Sequence, residues 1–289
     1  MEQLRYEAPD TLEAAVALLS GESGVTRILA GGTDVLVQLH LDVIDTPLIV
    51  DIKKITELRE IVKDGGAYWI GAAATGMELM NHPDFGADWP GVLDGVQLIG
   101  SIQIRGRATV GGNICNGSPA ADSTPAMIAA GAVATIAGPN GRRDIPVEDI
   151  CVGPGQTSLA KDEILVSFAL PARPANSGDA YLRFTPRTEM DIAVVGVGVN
   201  LTLDGSGICT SARVSLGAVA ATPLLVTEAA DALIGTKIDA AALDNLAAAA
   251  SAAAKPIDDK RGTKEYRIKV AGVLARRAAT IALDRARQG

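Results

Sequence analysis

Apolar positions along this chain change their period several times, and the changes mark its elements. Asp10 and Glu13 have N-cap and N3 spacing ahead of Leu12, Val16 and Leu19, with Ser20-Gly21 as a stop, which predicts a helix over 11–20. A short apolar run at 27–30 predicts a strand. It leads straight into Gly31-Gly32-Thr33-Asp34, and residues 35–39 then begin a helix. Strand-like runs recur at 48–52 and 68–72 and helical patterns at 76–80 and 91–99, so the first half is mixed α/β.

Residues 172–178, Ala-Arg-Pro-Ala-Asn-Ser-Gly, break every periodicity and read as a linker. Beyond it, 193–203 alternate around small and β-branched positions. Asp204-Gly205 suits a hairpin turn, and 208–219 form the partner strand. Helices are expected over 224–234, the alanine-rich 239–254 and the basic, amphipathic 263–287. The picture is a larger mixed domain followed by a small α+β domain that ends on a long helix.

Composition narrows the function classes. Of 289 residues, 48% are hydrophobic and 21% charged, enough apolar material for ordinary globular cores. A net charge of −8 argues against phosphate backbones, so no nucleic-acid partner is expected. No apolar run reaches the roughly 18 residues of a membrane span, and MEQLRYEAPD resembles no signal peptide, so a cytoplasmic protein is expected. Cys115, Cys151 and Cys209 show no CxxC spacing, and His40 and His82 are isolated. Neither an iron–sulfur cluster nor a zinc site is signalled, and all five read as structural or surface residues.

The candidate chemistry lies in two glycine turns. Glycine pairs followed by Thr or Asn where a strand meets a helix can converge backbone N–H groups on a phosphate oxygen and let it approach closely. Ala30-Gly31-Gly32-Thr33-Asp34 is one such turn and Thr109-Val110-Gly111-Gly112-Asn113 the other. No GxxxxGK[ST] occurs. The nearest approach to GxGxxG, 196–201, lacks its third glycine and lies inside an alternating strand, where it reads as core. A ligand with two phosphates, held by two separate turns, fits better than a Rossmann or P-loop site. Asp122, ahead of the apolar stretch 127–133, reads as a helix N-cap that can also serve a site.

Ile102-Gln103-Ile104-Arg105-Gly106-Arg107-Ala108 running into the second turn, then Ser118-Pro119 and Asp122, resembles the second flavin motif of the FAD-binding medium subunits of molybdenum hydroxylases, the family of xanthine dehydrogenase and aerobic carbon monoxide dehydrogenase. The first turn is similar to that family's first motif, in the expected order. Tyr181-Leu182-Arg183-Phe184 with Arg187 and Asp191-Ile192-Ala193 resembles the start of its C-terminal domain, and Lys264-Glu265-Tyr266-Arg267 with Leu274 and Arg276-Arg277-Ala278 its closing helix. The likeness spans essentially the whole chain.

The resemblance implies an α+β fold: a PCMH-type FAD-binding domain over 1–175 and a small α+β domain, a three-stranded sheet with helices, over 176–289. It implies FAD bound without a covalent link. Leu29 and Ala30 to Asp34 would hold the pyrophosphate, and Thr109 to Asn113 the remaining phosphate and ribityl contacts. Asp122 would hydrogen-bond the ribityl or flavin edge, with Ser118 a further cofactor-binding position. Ile104, with Ile99, would lie beside the isoalloxazine, and Leu165 in a strand over 163–170 would pack near the rings. Arg183 stands where the family commonly has Lys, which keeps a cation but changes its donor geometry.

On this resemblance the chain is the FAD-carrying electron-transfer subunit of a heteromeric molybdenum hydroxylase or dehydrogenase. A large molybdopterin subunit oxidises the substrate, and a small subunit with [2Fe–2S] clusters passes electrons here and on to an external acceptor. The implied assembly is a dimer of heterotrimers. Flavin carries the redox chemistry itself, so no catalytic side chains are needed on this chain. Two other readings stay open: a free-standing PCMH-type flavin oxidase or dehydrogenase, and a non-enzymatic assembly module whose glycine turns are structural.

Overall fold

The computed structural model describes residues 4–288. Its first unit comprises β1 (Arg5–Glu7), α1 (Leu12–Gly21), β2 (Arg27–Leu29), α2 (Val35–His40) and β3 (Leu48–Asp51). The three strands are parallel in the order β1-β3-β2, so β2 has a strand partner on one edge only. Helix α1 starts one residue later than expected. Thr11, not Asp10, is its cap, because Thr11 has the extended backbone and its Oγ1 accepts from the Ala14 N–H at 3.2 Å. Leu12, Ala15 and Leu19 on α1 then bury against Leu48 and Val50 of β3.

A hairpin of β4 (Ile61–Asp64) and β5 (Ala67–Gly71) leads into six short helices: α3 (Gly76–Met80), α4 (Phe85–Asp88), α5 (Pro90–Val96), α6 (Ile102–Arg105), α7 (Val110–Cys115) and α8 (Ser123–Ala129). The chain continues through β6 (Val133–Gly138), β7 (Gly141–Pro146), the small pair β8 (Cys151–Gly153) and β9 (Gln156–Thr157), and β10 (Ile164–Leu170). Five of these strands form an antiparallel sheet in the order β4-β5-β10-β6-β7. One face packs Tyr68, Ile70 and Phe168 against Phe85, Trp89 and Met127 of the helices. The other face sends Ala137, Ile164 and Val166 into the core of the first unit. A bulge between Leu165 and Ser167 resets the alternation of β10, so that Leu165 and Phe168, three residues apart, face the same core.

The second sheet is antiparallel in the order β11 (Ser177–Phe184), β12 (Val195–Leu203), β13 (Cys209–Gly217) and β14 (Leu224–Leu225). Its three long strands match the expected sheet. The fourth, two residues long, takes the start of an expected helix: Leu224 and Leu225 pair with Leu216 and Ser215 before α9 (Thr227–Asp231) begins. The hairpin turn is organised by the Asp204 carboxylate, which accepts from the Ser206 and Ile208 N–H groups at 2.8 and 2.9 Å. Helices α10 (Ala240–Ala253) and α11 (Lys264–Ala286) cover one face, and α5 and α8 pack on the same sheet from the larger unit.

The glycines of 196–201 serve this packing. A Cβ on Gly196 would lie 2.3 Å from the Tyr181 hydroxyl, and one on Gly198 would lie 2.5 Å from the Pro125 carbonyl oxygen. They are core positions of β12, as the alternation predicts. Charged pins join the two parts: buried Asp179 accepts from the Val92 N–H at 3.1 Å and from Arg173 at 2.8 Å, while Arg285 reaches Asp94 at 2.7 Å.

Gly178 permits the closest approach of β11 to α11, since its Cβ would fall 1.9 Å from the Ala282 carbonyl oxygen. Gly178→Ala is expected to destabilise the chain by about 3 kcal/mol. Gly205→Ala, which meets nothing within 4 Å, should cost less than about 0.5 kcal/mol. Urea midpoints at constant m-value provide the comparison.

Candidate functional site

A cavity of about 380 Å³ lies where the first unit meets α7 and the start of β10. Its walls hold both glycine turns. Gly31 lets the first turn lie against the approach to the second, since a Cβ there would be 2.0 Å from the Arg107 carbonyl oxygen, and Gly111 lets the second turn lie on the end of β5, where its Cβ would be 2.4 Å from the Ala72 carbonyl oxygen. Gly32 has φ +77°, a left-handed backbone that a side chain would strain. Arg107 Nε donates to the Gly31 carbonyl at 3.3 Å, and Asn116 Nδ2 donates to Asp34 at 3.4 Å. Residues about 80 apart in sequence thus share one wall.

Backbone polarity of this wall suits an anion. Among the described residues, the N–H groups of Gly31, Gly32, Thr33 and Asp34 donate to no carbonyl or side chain. In the second turn Thr109 is the α7 cap, and its Oγ1 accepts from the Gly112 N–H at 2.9 Å. The lining also includes the apolar Ile28, Ile52, Ile99 and Leu165. A groove with free N–H groups at one end and aliphatic side chains beside them fits a ligand that joins phosphate to flat or apolar groups. The fit to FAD rests on these free amides and on the contacts that exclude any Cβ.

The expected site residues divide into two groups. Ala30, Gly31, Gly32, Thr33, Asp34, Thr109, Gly111, Gly112, Asn113 and Leu165 line the cavity. Leu29 and Val110 are buried immediately behind it. Ile104 is half-buried beneath Gly100, and Ser118 sits in the turn after α7, where its Oγ accepts from the Ala120 N–H at 3.2 Å.

Asp122 and Arg183 form a separate buried cluster with Tyr181. Asp122 occupies the N-cap position of α8 but caps nothing. Its carboxylate accepts from the Tyr181 hydroxyl at 2.9 Å and from Arg183 at 2.6 Å, and Arg183 also donates to the Leu98 carbonyl at 3.0 Å. Ser123, beside Asp122, donates to the Asn113 side chain at 2.7 Å and so ties this cluster to the cavity wall. Burial pushes the Asp122 carboxyl up to about 6, against the opposing pull of Arg183 and Tyr181. The same burial, with Asp122 alongside, holds the Tyr181 phenol well above its ordinary value.

Several cavity residues carried no signal in the sequence. Thr26, Arg27 and Gln38 flank the first turn, and Thr157 and Lys161 arrive from the segment before β10. A charged residue opening an otherwise apolar strand was the one hint at Arg27. Cys115, an exposed residue, also lines the cavity. No group of three or more metal-ligating side chains occurs among the described residues.

Comparison with known proteins agrees across the chain. Residues 2–173 match the family model described as FAD binding domain in molybdopterin dehydrogenase, and residues 180–282 match that of the CO dehydrogenase flavoprotein C-terminal domain. The carbon monoxide dehydrogenase medium chain of Afipia carboxidovorans is 36% identical over 98% of this chain and 97% of its own. A putative xanthine dehydrogenase FAD-binding subunit of Escherichia coli is 32% identical over 96% and 95%. Among solved structures, a carbon monoxide dehydrogenase from Hydrogenophaga pseudoflava lacking the Mo-pyranopterin moiety of its cofactor superposes with TM-score 0.93 at 33% identity, covering 98% of both chains.

Asp122 generates a pH-dependent prediction. Between about pH 4 and 6 the folded chain keeps a proton on this carboxyl that the unfolded chain has released, so its contribution to stability declines as pH rises through that window. Asp122→Asn removes the decline. From pH 4 to pH 7 the variant should gain about 2–3 kcal/mol relative to the parent, read from urea unfolding at both pH values. Equal slopes for the two proteins would contradict the assignment.

Proposed function

This chain belongs to the family of FAD-binding medium subunits of molybdenum hydroxylases, and from that membership we propose that it carries FAD and relays electrons within a heteromeric molybdenum hydroxylase or dehydrogenase. It stands between the [2Fe–2S] clusters of a small partner subunit, fed by a large molybdopterin subunit, and an external acceptor. A dimer of heterotrimers is the proposed assembly. Three cysteines without disulfides suit a reducing compartment, and we place the complex in the cytoplasm. When bound, FAD supplies the exchange between one-electron and two-electron transfer. The protein's part is to bind, orient and shield it.

The observation that carries this reading is the abutment of the two glycine turns around unpaired N–H groups. We assign the pyrophosphate to Ala30–Asp34 and the adjoining phosphate and ribityl contacts to Thr109–Asn113, with Leu29 and Val110 fixing the two turns from behind. Leu165 is assigned to packing on the rings. Ile104, Ser118, Asp122 and Arg183 lie outside the cavity walls, and for them the proposal is a role at the flavin end. Asn113 is the link, since Ser123 holds its side chain next to Asp122. The proposed domains, 1–175 and 176–289, divide at the irregular segment before β11.

Anaerobic absorbance spectra test the role. The chain alone should show flavin bands that candidate substrates leave unchanged. Co-purified with its partners it should add iron–sulfur absorption, and the flavin should then bleach with substrate. Bleaching of the isolated chain would overturn the relay reading in favour of a self-sufficient flavoenzyme. Gly31→Ala, which forces a methyl onto the Arg107 carbonyl, should abolish flavin retention during gel filtration.

A further inference from the structure

Two cations that line the cavity, Arg27 and Lys161, form no ion pair among the described residues. Arg27 opens the edge strand β2 and lines the wall. Its Nε is buried and donates to no acceptor, and its guanidinium forms no ion pair among the described residues. Lys161, an exposed residue on the segment before β10, lines the same cavity and is in no ion pair among the described residues. Buried guanidinium N–H groups are normally satisfied, so a cavity ligand with an acceptor beside Nε would complete the hydrogen bonding of Arg27.

The cavity's own carboxylates do not fill that role. Glu163 is held by Arg143 at 2.7 and 2.8 Å and by the Ala160 N–H at 2.8 Å. Asp34 reaches only Asn116, at 3.4 Å. With Glu163 neutralised by Arg143, one carboxylate faces two free cations, beside the four unpaired N–H groups of Gly31–Asp34. The wall is therefore locally positive in a chain whose net charge is −8.

We propose that Arg27, with Lys161 as its outer partner, clamps the diphosphate of an adenine dinucleotide and so selects FAD over riboflavin. The inference rests on the proposed FAD-binding role and adds two residues outside the glycine turns. A diphosphate brings two negative charges and acceptors on both phosphorus centres. One cation comes from β2 and the other from the approach to β10, so a ligand spanning both elements engages both. Charge-assisted bonds of this kind are the strong ones, and their loss is felt in affinity.

The test titrates the full, flavin-stripped chain with FAD, riboflavin and ADP by calorimetry, comparing the parent with Arg27→Met, Arg27→Lys and Lys161→Met. Among the described residues Arg27 has no side-chain hydrogen-bond or ion-pair partner to be orphaned by its replacement, and thermal melting verifies that each variant is folded. Arg27→Met should weaken FAD and ADP roughly ten- to hundredfold and flatten their salt dependence, with riboflavin unchanged. Arg27→Lys should recover part of the loss, and Lys161→Met should cost severalfold. Affinities for FAD and ADP that ignore both variants, or a matching loss for riboflavin, would overturn the clamp while leaving the FAD-subunit reading intact. ADP binding that depends on Arg27, in a parent chain that takes up no flavin, would overturn both that reading and the selection of FAD. A parent chain that binds none of the three removes both.

Discussion

Backbone lying directly on backbone is the constraint on which this structure depends. Gly31 against the Arg107 carbonyl, Gly111 against Ala72 and Gly198 against Pro125 are places where any side chain would occupy space already held by a main-chain atom. Each of these contacts joins a different pair of layers. The first joins the parallel sheet to the helical layer, the second lays α7 on the end of β5, and the third seats α8 on the second sheet. Because the contacts are made by atoms that cannot rotate away, the wall is set before any ligand arrives, which is the condition for binding without a large ordering cost.

Charge takes over where glycine leaves off. Arg173, Arg285, Asp94 and Asp179 pin the second sheet to α5, and Arg183 with Tyr181 closes on Asp122 beneath α8. These pairs are shielded enough that removing one member would strand the other, so they act as locators more than as sources of net stability. Asp122 shows the balance most directly, because burial outweighs its two donors and leaves it a weaker acid than usual.

What could be read in the sequence follows the range of the physics involved. The glycine turns were legible because part of their signature is local, a glycine pair between a strand end and a helix start, although the carbonyls that Gly31 and Gly111 meet belong to the distant Arg107 and Ala72. The long helices and β12 were legible from their period. Three features were not. Thr11 displaced Asp10 as a cap by one residue of backbone geometry. Leu224 and Leu225 entered a strand because β13 offered them a free edge. The surroundings of Asp122, and the arrival of Arg27 and Lys161 in one cavity, exist only once segments far apart in sequence have folded together.

The edge position of β2 bears on how the subunit is handled before its cofactor is in place. A strand with one unpaired edge is a template for pairing with another chain, and proteins usually blunt such edges with charge, twist or cover. Here the strand is three residues long, opens on an arginine and ends in a glycine turn, and Thr26–Ile28 belong to the cavity wall. The open edge is thus recessed and too short to recruit a neighbouring strand, which favours a ligand-free subunit that stays dispersed long enough to be loaded.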